Sequence, residues 1–188
     1  MPAERILIVG GPGSGKTTLA LELAAQLNLP VHHLDEIARL GGGRGPETSA
    51  EHRSAAVSEI LHAGRWVTEG VHLGWTSPLF GSADAIVWLD HVRWQTSSRR
   101  VVRRFLRQAI AEARQRKGRE RYLRFRDYAR RLRELAVSLP ETRSYPQDEL
   151  EAALASHREK LFRCQTPADV ANAARAVVAR DAAAEAVG

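Results

Sequence analysis

Cysteine occurs once in 188 residues, at Cys164. A lone thiol excludes an internal disulfide framework and leaves no cysteine-based zinc site. No apolar run approaches the ~20 residues that span a bilayer. The N-terminus enters a strand-like stretch directly, without the basic and apolar regions of a secretory signal. No repeat is visible, and no linker is rich enough in glycine, proline or serine to divide the chain. These absences predict one domain over 1–188, cytoplasmic and reduced, with no membrane partner. Nothing in the sequence speaks to oligomeric state.

Composition is ordinary, with 44% hydrophobic and 27% charged residues, the mix of a soluble globular protein. The distribution of charge is not. Residues 93–133 hold sixteen lysines and arginines against three acids (Glu112, Glu120, Asp127), a local balance of +13 in a chain of net charge +6. The rest of the chain therefore carries −7. A segment of that kind predicts a concentrated anionic partner: a polyphosphate, a nucleic acid or an acidic surface.

Four apolar residues, 6–9, end at Gly10-Gly11-Pro12, as a buried parallel strand would. Apolar residues then recur at helical spacing from Thr17 to Leu27, stopped by Asn28 and Pro30. Short strands are expected at 31–34, 66–68, 85–89 and 160–163. Thr48 and Glu51 have capping-box spacing and open a helix to about Ala63. Gly41-Gly42-Gly43 marks a loop. Helical patterning runs from about 94 to 114, breaks near Gly118 and resumes from about 122 to 138. Pro167 starts a closing helix, which is expected to fray over 181–188. Strands alternating with helices predict an α/β fold with a mainly parallel sheet.

Gly10-Gly11-Pro12-Gly13-Ser14-Gly15-Lys16-Thr17 satisfies G-x-x-x-x-G-K-[ST], between a strand and a helix. Glycines let successive main-chain N–H groups curl round a phosphate at the positive end of a helix. Lys16 reaches the terminal phosphates, and the hydroxyl of Thr17 suits Mg²⁺. No Asn-Lys-x-Asp run reads guanine here, and the chain is short for a mechanical ATPase. A small phosphotransferase or a nucleotide-gated binding protein remains.

Ligands of an open parallel sheet lie beyond the carboxyl ends of its strands. Asp35, Glu69 and Asp90 occupy such ends. Glu69 and Asp35 fit a metal's water shell or a proton acceptor, whereas Asp90 fits a helix cap or turn. Beyond Asp90, Arg99 and Arg103 share a helical face. A second cluster, Arg114, Arg116, Lys117, Arg119, Arg121 and Arg124, surrounds the helix break and suits a lid over phosphates. Tyr122, Phe125 and Tyr128 could instead stack on bases, which gives the nucleic-acid alternative. His32, His33, His72 and His91 have no spacing that demands a metal. Trp66, Trp88 and Trp94 are assigned to packing.

With these residues in place the chain resembles the adenylate-kinase-like P-loop kinases, and among them the topology modulation (FlaR-like) subgroup. The shared runs are "RILIVGGPGSGKTTLA", "LPVHHLDE", "GRWVTEG", "ADAIVWLD" and "KLFRCQTPADV". The resemblance implies a three-layer α/β/α fold with a parallel five-stranded sheet in the order 2-3-1-4-5. It also implies an acceptor region after the second strand and an arginine-rich helical lid at about 108–130. It assigns ATP to Gly10, Gly11, Pro12, Gly13, Ser14, Gly15, Lys16, Thr17 and Thr18, with Arg99 beside it and adenine at Gln165 and Pro167. Glu69-Gly70 stands where the family has Asp-Gly near magnesium. Arg99 and Arg103 fall nine and thirteen residues beyond Asp90, where family arginines flank the nucleotide.

Two departures leave the acceptor open. The family's Phe-Pro-Arg is replaced by Val71-His72-Leu73, and a tryptophan-rich stretch by "ARLGGGRG". The resulting expectation is a kinase moving the γ-phosphate of ATP, with Mg²⁺, to a small acceptor, nucleotide or otherwise, near Asp35, Arg53, Glu69 and Gly70. Lys16, Glu69, Asp35, Arg99 and Arg103 would be catalytic, with Thr17 and Glu69 on the metal. The alternative is a nucleotide-switched nucleic-acid-binding or regulatory protein with little kinase activity.

Overall fold

The structure is a computed structural model that describes residues 3–40, 45–91, 103, 107 and 147–185, the last five of these by backbone alone. The chain divides into two compact units. One contains Ser14–His91 together with the first strand and the C-terminal part of the chain. The other contains Gly11–Gly13 and Val92–Gln147, where Arg103 and Arg107 are helical and exposed. Arg99, Trp94, the 114–124 cluster, the lid at 108–130, Gly41 to Gly43 and the aromatics at 122–128 lie outside the described residues.

Five strands form one sheet: β1 Arg5–Gly10, β2 Val31–His33, β3 Trp66–Glu69, β4 Ala85–Leu89 and β5 Leu161–Cys164. Their order is β2-β3-β1-β4-β5 and every pairing is parallel. The expected topology is therefore present. Between the strands lie α1 Lys16–Leu27, α2 Leu34–Ala38, α3 Ala50–Ala63, α4 Ser77–Ser82 and α5 Gln147–Leu154, with a 3₁₀ turn at Ala155–Lys160, and α6 Pro167–Glu185 follows the last strand.

A parallel sheet covered on both faces needs apolar residues at every position along its strands, and β1 and β4 are buried from Ile6 to Val9 and from Ala85 to Leu89. Ile6, Ile8, Val67, Ala85, Val87 and Leu89 share one core cluster with Leu19, Ala20, Leu23, Ala24 and Leu27 of α1 and with Ala173 and Val177 of α6. The alternate residues of β1, Leu7 and Val9, point to the opposite face, where α4 packs on the strand. Each large aliphatic chain buried this way contributes about 1.5–3 kcal/mol. Trp66 and Trp88 are packed in, as expected.

Four local expectations change. The cap of α3 is Ser49, whose hydroxyl accepts from the amide of His52 (3.2 Å), not Thr48. Thr48 donates instead to the carbonyl oxygens of Ile37 (2.7 Å) and Ala38 (3.2 Å), holding α2 to the start of α3. Leu34 leaves β2 to open α2, where its side chain is fully buried. The last strand is displaced one residue, ending at Cys164. The closing helix continues through Asp181 to Glu185, its alanines being the best helix formers. No helix among the described residues is long and apolar enough to cross a membrane.

Candidate phosphate-binding site

The loop that follows β1 has a backbone only glycine takes easily. Gly10 has φ +149°, and a Cβ there would lie 2.7 Å from the carbonyl oxygen of Leu89 and 3.1 Å from the hydroxyl of Ser14. Gly13 and Gly15 also have positive φ, +70° and +102°. Gly15 caps α1 without any side-chain hydrogen bond, and no acid stands in the first turn of the helix. The positive end of α1 is thus not neutralised by a carboxylate of its own first turn, which favours an incoming anion. Ser14 is buried and its hydroxyl has no hydrogen-bond partner among the described residues. A buried unpaired hydroxyl is costly, and a phosphate oxygen accepting from it would remove that cost. Lys16 is the first residue of α1, so it projects from the loop's end, and Thr17 and Thr18 follow on exposed turns.

Register carries Glu69 to this loop. In a parallel sheet, register partners point to the same face, and Glu69 is level with Ile8 of β1 and His33 of β2. Ile8 and Val67 face α1, so Glu69, two residues after Val67, does too. Its carboxylate is buried, and Oε1 accepts from the hydroxyl of Thr17 (2.9 Å) and pairs with Nδ1 of His33 (2.9 Å). A carboxylate only accepts, so the imidazole nitrogen carries the proton. The donation leaves the lone pairs of Thr17 for another partner. Hydroxyl and carboxylate together form a hard oxygen donor set, the chemistry that suits Mg²⁺. Thr17 and Glu69 would hold such an ion.

Gly70 and α2 build the adjoining wall. At Gly70, φ is +130° and a Cβ would lie 2.9 Å from Cβ of Leu34. Only glycine lets α2 settle this close to the end of β3. Asp35, in the first turn of α2, then meets Nε2 of His72 at 3.0 Å. Arg53, on α3, lies 3.8 Å from Glu47, which also pairs with Arg39 at 3.3 Å.

The other end of the sheet is arranged differently. Asp90 is held by Nε and Nη2 of Arg163, both at 2.9 Å. After β5, Thr166 and Asp169 make a reciprocal cap for α6: Asp169 accepts from the amides of Gln165 (3.0 Å) and Thr166 (2.8 Å), while Thr166 Oγ1 accepts from the amide of Asp169 (3.2 Å). These bonds, that from Thr166 foremost, hold the Asp169 carboxyl below its ordinary range. The main-chain donor of Gln165 is thus engaged within the protein, and Pro167 fills the first position of α6. A pocket of about 270 Å³ lies beside this cap, lined by Phe162, Arg163, Cys164, Asp169, Asn172 and Ala173. Burial pushes the Cys164 thiol up to about 11.

The structure therefore joins Thr17 to Glu69 and sets Asp35 beside the same strand ends. It adds two partners, His33 and His72, whose sequence spacing does not reveal these bonds. Among the described residues no group of three or more His, Cys, Asp or Glu side chains could hold a metal ion, so the histidines form no cluster there.

Sheet order and loop together define an α/β fold of the P-loop type. No family model matches the chain. A stretch of 77 residues, 41% of the chain, is 30% identical to 4-hydroxy-3-methylbut-2-enyl diphosphate reductase of Thermosynechococcus vestitus. It covers 19% of that protein, so the chain spans about a fifth of the length of the curated relative it matches. Among solved structures, a gluconokinase from Sinorhizobium meliloti 1021 is similar with a TM-score of 0.49 and 18% identity, over 96% of this chain and 94% of that one. Shikimate kinase from Bacteroides thetaiotaomicron gives 0.44 and 19%, over 92% and 95%. A sugar kinase from Janibacter sp. HTCC2649 gives 0.37 and 20%, over 54% and 67%. At these scores the likenesses are silent on substrate and activity.

Proposed function

We infer that this protein is an ATP-dependent phosphotransferase that uses Mg²⁺ and acts on a small acceptor carrying a hydroxyl group. The observation that carries the reading is the 2.9 Å bond between Thr17, in the first turn after the glycine loop, and Glu69 at the end of the neighbouring strand. A loop that only gripped phosphate would need no buried carboxylate beside the position suited to a metal.

In this reading the loop amides, the Ser14 hydroxyl and Lys16 bind the β- and γ-phosphates and orient them. Magnesium, when bound, offsets the charge that develops on the transferred group. Glu69, kept in place by His33, fixes Thr17. Asp35 takes the proton of the acceptor hydroxyl. Arg99 and Arg103 stabilise the transferring group, on the strength of the family resemblance alone. Gln165 and Pro167 border the base, and Arg53 with Gly70 bounds the acceptor region.

Lys16→Ala tests the reading. Transfer of γ-phosphate to a panel of nucleoside monophosphates, nucleosides, sugars and hydroxy acids should fall by ~100-fold or more in the variant, with an unchanged circular-dichroism spectrum. Equal ATP consumption by variant and parent would overturn it. The rival is a nucleotide-switched nucleic-acid binder, favoured by the +13 balance over 93–133. It predicts duplex affinity that drops steeply with salt, which a gel-shift series in rising salt measures.

A further inference from the structure

Resting on the phosphotransferase reading, we propose that His72 is a positioning residue that holds the carboxylate of Asp35 in line to receive the acceptor's proton. His72 stands where the resembled family has part of Phe-Pro-Arg, so the role belongs to this chain's own geometry. Nε2 of His72 lies 3.0 Å from Oδ1 of Asp35, and the carboxylate can only accept, so Nε2 donates.

His72 is itself held at its ring and at its main chain. Its ring stacks on that of Trp75, centroids 5.1 Å apart and planes 27° from parallel. Its main-chain carbonyl accepts three hydrogen bonds, from the amides of Trp75 (3.1 Å) and Thr76 (3.2 Å) and from the hydroxyl of Thr76 (2.8 Å). Thr76 is fully buried. Asp35, by contrast, has a side chain that is 73% exposed, on a helix of five residues. A fixed donor against an exposed carboxylate on a short helix selects one orientation of that carboxylate. The ion pair of Arg5 with Asp84 joins the starts of two neighbouring strands. The pair between Asp35 and His72 joins a short helix to a turn beside the site.

The step it serves is balanced. The acceptor oxygen forms a bond to the γ-phosphorus of ATP as the bond from that phosphorus to the β,γ-bridging oxygen breaks. The electron pair of that broken bond leaves on ADP. The acceptor's proton passes to the Asp35 carboxylate, which returns it to solvent after the phosphorylated product departs. In this role His72 acts only through Asp35 and contacts neither acceptor nor nucleotide.

Two variants separate the donor from the ring. His72→Phe keeps the stack on Trp75 and loses the donor, whereas His72→Gln keeps an N–H donor at similar reach and loses the ring. Full-length proteins are assayed for [γ-³²P]ATP turnover onto glycerol, D-gluconate, D-ribose, AMP and water, with MgATP affinity measured by calorimetry. His72→Phe should lower kcat by ~10-fold or more with acceptor KM and MgATP affinity within about twofold, and His72→Gln should recover most of that loss. Unchanged kcat in His72→Phe would overturn the positioning role and leave the phosphotransferase reading standing. A rise in KM alone would also overturn it, by making His72 an acceptor contact. Turnover by wild type onto none of the five acceptors would overturn the phosphotransferase reading, and this inference with it.

Discussion

Glu69 at the end of β3 and Asp90 just past β4 are carboxylates on the two strands that flank β1, yet their partners differ in kind. Glu69 is met by a hydroxyl and an imidazole at 2.9 Å. Asp90 is met by the forked guanidinium of Arg163, which also reaches Glu151 at 2.9 Å and lies 4.2 Å over the Trp88 ring. A guanidinium in that geometry neutralises a carboxylate and fixes both residues. A hydroxyl steadies a carboxylate without cancelling its charge, and an imidazole N–H donor carries no fixed positive charge of the kind a guanidinium brings. One strand end is thus left electrically able to attract a cation, while the other is closed as part of the scaffold. Position beyond a parallel strand is therefore a weak guide to function until the partner's charge is known.

The contrast can be broken by experiment. Glu69→Gln should cut phosphate transfer by ~100-fold or more, whereas Asp90→Asn should leave it within about threefold; comparable losses in a transfer assay would erase the distinction. Cys164, buried beside the closed end, should react with a disulfide reagent at pH 8 about a hundredfold more slowly in the native protein than after unfolding, since its thiol is pushed up to about 11. A native rate near the unfolded one, followed at 412 nm, would show that end to be open. Gly70→Ala should cost about 1–3 kcal/mol through its positive φ and the contact with Leu34, read as a lower urea midpoint with an unchanged slope. Asp90→Asn should cost least in stability, about 1 kcal/mol or less, a fall in melting temperature of about 2–4 °C.

Most of the frame could be read from the residues. β1 and β4 announce themselves as short unbroken apolar runs, Pro167 marks the start of α6, and the glycine loop needs only its own spacing. The short helices could not be read. Five residues of α2 and six of α4 are too few for a helical period to show, and the stop of β2 at His33 depends on where Leu34 finds cover. Thr48 was mistaken for a cap because a serine one residue later offers the same chemistry, and only the carbonyls of Ile37 and Ala38 decide between them. Of the site, Thr17 and Glu69 were legible as separate motifs. Their meeting, and the parts of His33 and His72, were not, because those depend on strand register and on the approach that Gly70 permits.

Gly10 has a consequence beyond the loop it opens. The carbonyl of Leu89 sits where a side chain at position 10 would have to go, so the entry to the loop and the exit of β4 form one joint with no slack. A methyl group introduced there could not be absorbed on the spot. It would lever Leu89 outward and, one residue on, loosen the hold of Asp90 on β5, so damage at the phosphate side would surface as instability on the far side of the sheet.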